Sequence, residues 1–331
     1  MIALDANGAD GGPAVVADGA KRSGEQVLLF GPKDELGGSG AEVVDAPERI
    51  AGDDEPVRAV RSRPDASIVQ AARAVAEGRA EALVSAGSTG PTLAAATLAI
   101  KRLRGVHRPA IAALLPLPTG PVLLLDAGAN TEVRPEHLVQ FAYMGAAFME
   151  AVVGSKRPRV GLLSVGREAA KGTPDVLAAR QRLEDGPLDF AGNVEGFDLT
   201  AGTVDVVVTD GFTGNVALKV AEGASRTVRE AIRQRVRSGG PLALLGGLLI
   251  RGPVARLRVE LDPERVGGAL LLGLRRPVVI AHGSFGPGGI SAAVRLARRA
   301  VDERMVERTH AALETAGALR SVPAGSVATN G

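Results

Sequence analysis

The sequence predicts an α/β protein with a mostly parallel sheet. Short aliphatic runs alternate with longer stretches of helical periodicity, the order expected of strands joined by crossover helices. Several of these runs end in a polar residue followed closely by glycine, which is typical of a tight turn from a strand into a helix. The 331 residues suit one large unit or two close lobes, and 45% hydrophobic residues with 2% aromatics indicate an aliphatic core.

Composition excludes several classes of function. The 39 basic residues nearly balance the 37 acidic ones, and no basic-aromatic pattern of a nucleic-acid binder occurs. The absence of cysteine removes disulfides, thiolate metal sites and an acyl-cysteine intermediate. No secretory signal is visible, and no apolar run approaches the roughly 18 residues of a membrane-spanning helix. We therefore expect a cytoplasmic protein.

The first third of the chain consists of strand–turn–helix units. A strand at 1–4 ends at Asp5, and Pro13 suits the first turn of the following helix. The polar stretch 51–65 predicts an excursion over the surface. The sequence Ser-Ala-Gly-Ser-Thr-Gly at 85–90 predicts a second joint between a strand and a helix. Further strands are predicted at 27–30, 42–45 and 82–84, and helices at 66–77 and 91–103.

The middle of the chain adds a predicted antiparallel pair. Two aliphatic runs at 110–115 and 122–125 are joined by a short proline-containing link, which indicates neighbouring strands in a partly antiparallel sheet. A helix from Pro135 to about 153 carries Phe141, Tyr143 and Phe148, which we assign to the core or to a subunit contact. His137, in its first turn, is assigned to packing or capping. Later strands are predicted at 160–164, 190–195, 204–208 and 277–281, with a last helix to about 315.

The stretch 209–215, Thr-Asp-Gly-Phe-Thr-Gly-Asn, is the centre of the predicted site. It follows an aliphatic run and precedes helical spacing from Val216. In an open α/β sheet, ligands bind in the crevice at the carboxyl ends of strands. The free N–H groups of a helix's first turn favour an anion there. We interpret the other strand-end stretches as parts of the same site.

Lys171 stands out in the loop after the strand at 160–164. The chain has six lysines against 33 arginines, and this lysine precedes a glycine where a strand should turn into a helix. Two interpretations are open: a group that neutralises phosphate or an oxyanion, and a solvated loop lysine. We favour the first.

A basic and apolar segment lies at about 226–262. Arginines at 226, 229, 233, 235 and 237 precede the apolar residues 241–250, and arginines at 251, 256 and 258 follow. The apolar run is too short to span a bilayer. An apolar tip beside arginines is typical of a membrane interface. A packed helix pair at a dimer contact explains the pattern equally well, and both interpretations stay open.

The motifs of several enzyme classes are absent from the sequence. Neither Gly-x-Gly-x-x-Gly, nor the phosphate-binding Walker A pattern, nor Gly-x-Ser-x-Gly occurs. The four histidines lack metal-ligand spacing. What is left is a set of strand-end loops rich in Gly, Asn, Ser and Thr, together with one lysine. Such a site binds anions and polarises carbonyls, which suits phosphoryl or acyl-phosphate chemistry.

Six motifs in a fixed order resemble one known family. They are Asp-Ala-Asn-Gly-Ala-Asp at 5–10, Ser-Ala-Gly-Ser-Thr-Gly at 85–90, Gly-Ala-Asn at 128–130 with Pro-Glu-His-Leu-Val-Gln-Phe at 135–141, Gly-Asn-Val-Glu-Gly at 192–196, Asp-Gly-Phe-Thr-Gly-Asn at 210–215 and Ala-His-Gly-Ser at 281–284. Together they resemble the acyl-ACP:phosphate acyltransferases of phospholipid synthesis (PlsX), where ACP is the acyl carrier protein. The resemblance runs from residue 1 to about 300.

The resemblance implies a fold, a reaction and partners. The fold would be a three-layer α/β/α sandwich related to isocitrate and isopropylmalate dehydrogenases, within one domain at 1–316. The Gly/Ala/Ser-rich composition of 317–331 separately predicts a disordered tail. The reaction would convert acyl-ACP and inorganic phosphate to acyl phosphate and ACP, feeding glycerol-3-phosphate acylation. No cofactor or metal is implied. The resemblance also implies a homodimer and peripheral membrane contact through the tip between Leu242 and Ile250.

The resemblance also assigns candidate site residues. The catalytic candidates are Lys171, Asn193, Asn215 and His282. The candidates for binding substrate and phosphate are Asp5, Gly87, Ser88, Thr89, Gly90, Asn130, Glu168, Gly172, Glu195, Asp210, Thr213, Gly214 and Ser284.

The chain departs from the family pattern at several of these stretches. Asn7 stands where Met is expected, Ser88 where many relatives have Asn, and Phe197 where Arg is expected. The expected Gly-Thr-Glu-Glu-Gly-Lys-Gly-Asn run is Gly-Arg-Glu-Ala-Ala-Lys-Gly-Thr at 166–173. The loss of a carboxylate and an arginine alters the polar network while leaving the predicted reaction class.

Three other functions stay open at the level of sequence. The first is a phosphate acetyl- or butyryltransferase that uses acyl-CoA, which has the same chemistry with another carrier. The second is an NAD-dependent hydroxyacid decarboxylase, which would need Mg²⁺ in a carboxylate cluster that the sequence does not offer. The third is an inactive membrane-associated scaffold, which the altered loop at 166–173 keeps open.

Overall fold

The fold is organised on one large sheet. A computed structural model describes residues 1–320 of the chain, apart from the side chain of Arg258. Within this part, eleven strands form the sheet. Their order is β3-β2-β1-β4-β11-β10-β5-β6-β9-β7-β8. The strands are β1 Ile2–Asp5, β2 Val27–Gly31, β3 Glu42–Asp45, β4 Ala82–Ser85, β5 Ala110–Leu115, β6 Val122–Leu125, β7 Arg159–Leu163, β8 Asp189–Val194, β9 Val206–Val208, β10 Ala269–Leu272 and β11 Val278–Ile280.

Helices cover both faces of the sheet. They are α1 Pro13–Ser23, α2 Lys33–Leu36, α3 Pro56–Ser62, α4 Ser67–Ala76, α5 Thr89–Ala99, α6 Pro135–Phe148, α7 Pro174–Glu184, α8 Asp198–Ala201, α9 Gly211–Ser238, α10 Gly240–Leu249, α11 Arg251–Glu260, α12 Pro263–Val266, α13 Pro287–Asp302 and α14 Met305–Thr315. A π-helical turn, Met149–Val153, continues α6. One layer contains α1, α6, α7, α13 and α14, and the other contains α3, α4, α5 and the start of α9.

The aliphatic runs are continuous because the strands are buried on both faces. Along β6, Leu123 and Leu125 point into the core beneath α6, while Leu124 points into the core on the other face. Seven of the ten strand pairings are parallel, and β10 is antiparallel to both of its neighbours. The predicted three-layer α/β/α fold with a mostly parallel sheet is therefore confirmed.

Several predicted elements are confirmed in detail. The strands at 110–115 and 122–125 pair antiparallel, as expected. Phe141, Tyr143 and Phe148 are buried core residues. His137 caps α6, because its Nδ1 accepts the backbone N–H of Arg134 at 3.1 Å.

Other elements differ from the sequence prediction. The helix expected from Val216 begins five residues earlier, at Gly211, because Asp210 caps it; the first turn is rich in glycine and carries little helical propensity. The polar stretch 51–65 contains α3, and β10 was not predicted. The last helix is two helices, since Arg304 adopts a left-handed conformation with φ 52°.

The chain end lies partly against the fold. Of the predicted tail at 317–331, Ala318 accepts a hydrogen bond from Gln140 Nε2 at 2.8 Å, and the N–H of Arg320 donates to Gly105 at 2.9 Å. Residues 321–331 lie outside the described part of the chain.

The segment α9–α11 contributes few residues to the core. Only Gly211 and Gly214 of the 28 residues of α9 are buried. α10 packs on α9, with Val236 against Gly247. Leu242 and Leu249 are 84% and 75% exposed. Within residues 1–320, no helix is long and apolar enough to cross a membrane.

Candidate functional site

Strand direction sorts the candidate residues into two groups. β1, β4 and β11 run parallel, and so do β6, β9, β7 and β8. Between the two groups, β10 is antiparallel to both of its neighbours, so β5 keeps the direction of β11, and the antiparallel step from β5 to β6 reverses the direction. We call the carboxyl ends of β1, β4 and β11 the serine edge, which carries Asp5, Ser88 and Ser284. The carboxyl ends of β6, β9, β7 and β8 are the lysine edge, which carries Lys171 and Asn215.

The usual twist of a β-sheet is expected to offset part of the reversal between these edges. Five steps separate β4 from β9, and at roughly 20–25° a step they rotate the strand direction by about 100–125°. We therefore expect the two edges to line two sides of a common cleft. No hydrogen bond between described residues joins the edges. A single phosphate site that uses both edges stays a prediction.

Asp126 organises the loop after β6 on the lysine edge. Its Oδ1 accepts backbone N–H groups of Ile111, Gly128 and Ala129 at 2.9–3.1 Å, and its Oδ2 accepts the backbone and side-chain amides of Asn130 at 2.7 and 2.8 Å. The side chain is fully buried, and burial raises the pKa of Asp126 while these donors oppose the rise. A carboxylate with five donors fixes the loop in one conformation.

The loop after β6 is locked to the start of α9. The N–H of Gly211 donates to the carbonyl of Asn130 at 2.6 Å. A Cβ on Gly214 would overlap the carbonyl oxygen of Asp126. Glycine is therefore required at 214 by the close approach of two backbones.

The first turn of α9 is not an anion site by itself. The carboxylate of Asp210 accepts the N–H of Thr213 at 2.8 Å and places negative charge at the helix start. Asp210 is thus a cap rather than a direct phosphate ligand, and Thr213 donates to it through its backbone. Phosphate at this edge needs a cation from elsewhere. Asn215, one turn along, is exposed and lies beside Gly128.

Lys171 lies in the loop 165–172, which we call the lysine loop. The side chains of Lys171 and Glu168 both approach the Cα of Gly166, and both residues are exposed. Gly172 has φ 124°, a conformation that favours glycine, and it packs on Ser164. Thr173 then caps α7 by accepting the N–H of Val176. The loop therefore presents its lysine to solvent at the strand end.

Asn193 holds the lysine loop instead of facing substrate. It is 4% exposed, and its Nδ2 donates to the carbonyls of Glu168 and Lys171, both at 2.9 Å. Both amide hydrogens are used, so Asn193 has no free N–H for an oxyanion. Asn130 is engaged in the same way, by Asp126 and the carbonyl of Pro109. The predicted oxyanion role of Asn193 is thus replaced by a positioning role.

Asn215 is the carboxamide that is free to donate. Among the described residues, no hydrogen bond engages its side chain. Glu195, the other predicted polar residue of this edge, follows β8 and is partly exposed. The lysine edge therefore exposes the ammonium of Lys171 and the carboxamide of Asn215 to a ligand.

Asp5 organises the serine edge as Asp126 organises the lysine edge. It is 3% exposed and accepts the hydroxyls of Ser67 and Ser85, each at 2.7 Å. Burial raises the pKa of Asp5, and the two hydroxyls oppose the rise. The hydroxyl of Ser85 in turn accepts the N–H of Gly87 at 3.0 Å. Asp5 is a support of the 85–90 loop rather than a phosphate ligand.

The 85–90 loop opens into a shallow pocket. Ser88 lines it and precedes α5, and Thr89 at the helix start is exposed. Gly87 approaches Gly8 so closely that a Cβ on Gly8 would overlap its Cα. Gly90 lies against Pro56. Ser88 and Thr89 follow β4 as expected, and their role in binding a ligand stays a prediction.

His282 and Ser284 brace their own turn on the serine edge. The Nδ1 of His282 lies 2.8 Å from the Oγ of Ser284 and 3.3 Å from its N–H. Both residues are exposed, and the carbonyl of Gly283 accepts the N–H of Asp10. The geometry gives His282 a structural partner, and no described contact joins it to Lys171.

Sequence reasoning missed Asp126, Ser67 and Ser85. Asp126 directly follows an aliphatic strand, as Asp5 does, and that position is the signal that could have found it. Ser67 lies 62 residues from Asp5, so only the fold shows their contact. All three residues support loops and do not face solvent.

The site as a whole offers neutral donors and one lysine. Among residues 1–320, no cluster of three or more His, Asp or Glu residues could hold a metal ion. The chain has no cysteine, and on the lysine edge the hydroxyl of Thr209 lies 3.5 Å from Oδ2 of Asp210 with no described hydrogen bond from either group to a histidine, so these residues do not form a catalytic triad. The fold is that of an α/β protein with polar loops at the carboxyl ends of its strands, the place where proteins of this class bind ligands.

Comparison with known proteins gives the family. The model of the fatty acid synthesis protein family matches residues 1–308. Two phosphate acyltransferases are close relatives: that of Thermotoga maritima is 40% identical over 311 residues, covering 92% of this chain and 94% of the relative, and that of Heliobacterium modesticaldum is 44% identical over 319 residues, covering 92% and 95%. The chain belongs to the phosphate acyltransferase family.

Solved structures show the same fold at low identity. A phosphotransacetylase from Streptococcus pyogenes superimposes with a TM-score of 0.62 at 17% identity, covering 91% of this chain and 94% of its own. A 4-hydroxythreonine-4-phosphate dehydrogenase from Klebsiella pneumoniae gives 0.50 at 14% identity, covering 91% and 99%. The predicted relation to a dehydrogenase-like fold and the predicted family are both confirmed, and the chain is an acyltransferase of fatty acid and phospholipid synthesis.

Proposed function

We propose that the protein transfers the acyl group of acyl-ACP to inorganic phosphate, giving acyl phosphate for glycerol-3-phosphate acylation. The supporting observation is the lysine edge, where Lys171 and Asn215 are exposed at the ends of neighbouring parallel strands. A cation beside a neutral donor suits a phosphate that attacks a carbonyl. This arrangement supports transfer without a covalent enzyme intermediate.

The reaction balances without a strong acid. A hydrogen phosphate oxygen attacks the thioester carbon, a carbon–oxygen bond forms, and the carbon–sulfur bond breaks. The phosphopantetheine sulfur leaves as a thiolate and takes up the proton that hydrogen phosphate loses. Since thiol pKa values are about 8–9, the thiolate is a fair leaving group. A general acid such as His282 is therefore optional.

Lys171 and Asn215 divide the stabilisation of charge. The ammonium of Lys171 neutralises phosphate and orients it for attack. The amide of Asn215 donates to the oxyanion that forms on the thioester carbonyl oxygen. Ser88 and Thr89, with the first turn of α5, supply hydroxyl and backbone donors across the cleft. Asn193 contributes by holding the lysine loop.

The test measures release of ACP thiol from palmitoyl-ACP with and without phosphate, with palmitoyl-CoA in parallel. The enzyme is silent to a thiol reagent because it contains no cysteine. We expect release that requires phosphate, yields acyl phosphate and is faster with ACP. Preference for CoA would transfer the function to an acyl-CoA phosphate transacylase. Folded protein that is inactive on both donors would favour the scaffold.

We further propose that a homodimer carries out this reaction at the cytoplasmic membrane surface. The exposed leucines of α10, together with the flanking arginines of α9 and α11, support contact with anionic lipid. The long, largely exposed α9 supplies surface for a second copy. Since ACP is acidic, the same arginines also offer an electrostatic approach for it.

Replacing both Leu245 and Leu248 with aspartate should abolish binding to anionic liposomes. These side chains are 54% and 63% exposed on α10, and two charges there would have to leave water to enter the interface. Co-sedimentation with phosphatidylglycerol vesicles measures the effect. Substituting Val57, exposed on α3 and remote from this segment, provides the control. Undiminished binding of the double variant would exclude an interfacial α10.

A further inference from the structure

Arg167 connects the lysine loop to the turn after β8, and the proposed mechanism does not use it. Its Nη2 donates to Oδ1 of Asp198 at 2.7 Å, and its Nε lies 3.8 Å from Oε2 of Glu195. The guanidinium carbon lies 4.9 Å from the ring centre of Phe197. One side chain thus contacts three of the four residues of the 195–198 turn.

The Asp198 end of this bridge is fixed. Asp198 is 1% exposed, its Oδ2 accepts the N–H of Glu195 at 2.8 Å and its Oδ1 accepts the hydroxyl of Thr203 at 2.8 Å. Burial opposes ionisation, yet these donors together with Arg167 lower the pKa of Asp198. Because several donors hold this buried, ionised carboxylate in one position, Arg167 pairs with a fixed partner.

Arg167 and Asn193 hold the lysine loop at different points. The side-chain amide of Asn193, on β8, donates to the carbonyls of Glu168 and Lys171. The guanidinium of Arg167 links the loop to Asp198 in the 195–198 turn. The backbone N–H of Lys171 also donates to Glu168 at 3.0 Å, which closes the loop between the two attachments. The exposed Lys171 therefore projects from a loop whose backbone is fixed on two sides.

We propose that Arg167 is a positioning residue that holds the lysine loop so that Lys171 meets phosphate. This inference rests on the proposed role of Lys171. Arginine suits the task better than lysine because its planar guanidinium pairs with carboxylates through several N–H groups and stacks on an aromatic ring at the same time. The pairing also leaves Lys171 as the cation of the loop that is free for the substrate.

The first experiment compares Arg167→Ala with the wild type by amide hydrogen exchange over residues 165–172. We expect faster exchange in this loop and unchanged exchange in β7 and β8, because only the tie to Asp198 is lost. The matched control is Arg157→Ala, since Arg157 forms an exposed pair with Asp189 at the opposite end of β7. Unchanged loop exchange in Arg167→Ala would overturn the proposal whatever the reaction is.

The second experiment measures kinetics with palmitoyl-ACP at varied phosphate. Arg167→Ala should raise the KM for phosphate on the order of tenfold and change kcat by less than about twofold; a 1 Å misplacement of a reacting group can cost about 10²-fold. Arg167→Lys should recover little of the loss, since lysine neither pairs in the same way nor stacks. Asp198 keeps the N–H of Glu195 and the hydroxyl of Thr203 in this variant, so the protein should still fold, with a lower melting temperature because one partner of a buried charge is lost. A rise in KM at nearly constant kcat is the result that a role in overall stability would not predict.

A double-mutant cycle separates this inference from the proposed function. In a Lys171→Ala background, Arg167→Ala should add almost nothing to the KM for phosphate, because the group that it positions is gone. Additive effects would show that Arg167 acts elsewhere and would overturn the inference. If Lys171→Ala alone left KM unchanged, the proposed role of Lys171 would fail first.

Discussion

Lys171→Ala is expected to lower kcat/KM for phosphate by about 10²–10³-fold. Lys171 is an exposed cation of the lysine edge, and Glu168, which approaches Gly166 together with it, carries negative charge that repels phosphate when the ammonium is removed. Loss of one preorganised group that stabilises transition-state charge typically costs about 2.7–4 kcal/mol. The measurement is acyl-phosphate formation from palmitoyl-ACP at varied phosphate concentration.

The matched control for this variant is Lys156→Ala. Lys156 is also exposed and lies just before β7, at the opposite end of the strand that leads to the lysine loop. The Lys156→Ala substitution removes the same charge from the molecule without changing the site, so the kinetics of this variant should match those of the wild type. Turnover and phosphate affinity of Lys171→Ala equal to those of Lys156→Ala would mean that Lys171 is a solvated loop residue.

Elements that rest on local pattern were predictable from the sequence. The aliphatic runs became strands because burial on both faces leaves no polar alternation, and the joints at 85–90 and 209–215 became helix starts because polar and glycine residues suit caps and turns. The two joints also share a pattern: a hydroxyl residue is followed two positions later by Gly and, after one more residue, by Thr-Gly. That internal similarity was missed in the sequence.

The direction of the strands and the use of side chains were not predictable. Nothing local to 269–272 indicates that β10 inserts between β11 and β5 and runs antiparallel to both. Asn193 and Asn215 both follow strands in Gly-rich stretches, so the sequence cannot tell which amide is consumed by loop carbonyls and which is free. Long-range packing decides both questions.

Gly214→Ala is expected to destabilise the protein by at least about 3 kcal/mol and to abolish activity. A Cβ at this position would overlap the carbonyl oxygen of Asp126 and lie 3.1 Å from Cγ2 of Thr209. The neighbouring group is backbone and cannot rotate away, since five donors to the Asp126 carboxylate hold that loop. Overpacking of a well-packed site costs about 1–3 kcal/mol, and more where backbone must move. Urea unfolding monitored by circular dichroism gives the change in stability.

Gly223→Ala tests the same substitution farther along α9. A Cβ on Gly223 would meet nothing within 4 Å, so the change only replaces a poor helix former by a good one. It should stabilise α9 by up to about 1 kcal/mol and leave activity unchanged. Opposite signs for two Gly→Ala changes in one helix would assign the loss at 214 to the contact with Asp126 and exclude helix propensity. Equal stability of the two variants would mean that the loop after β6 yields, so the junction with α9 would not be the rigid part of the site.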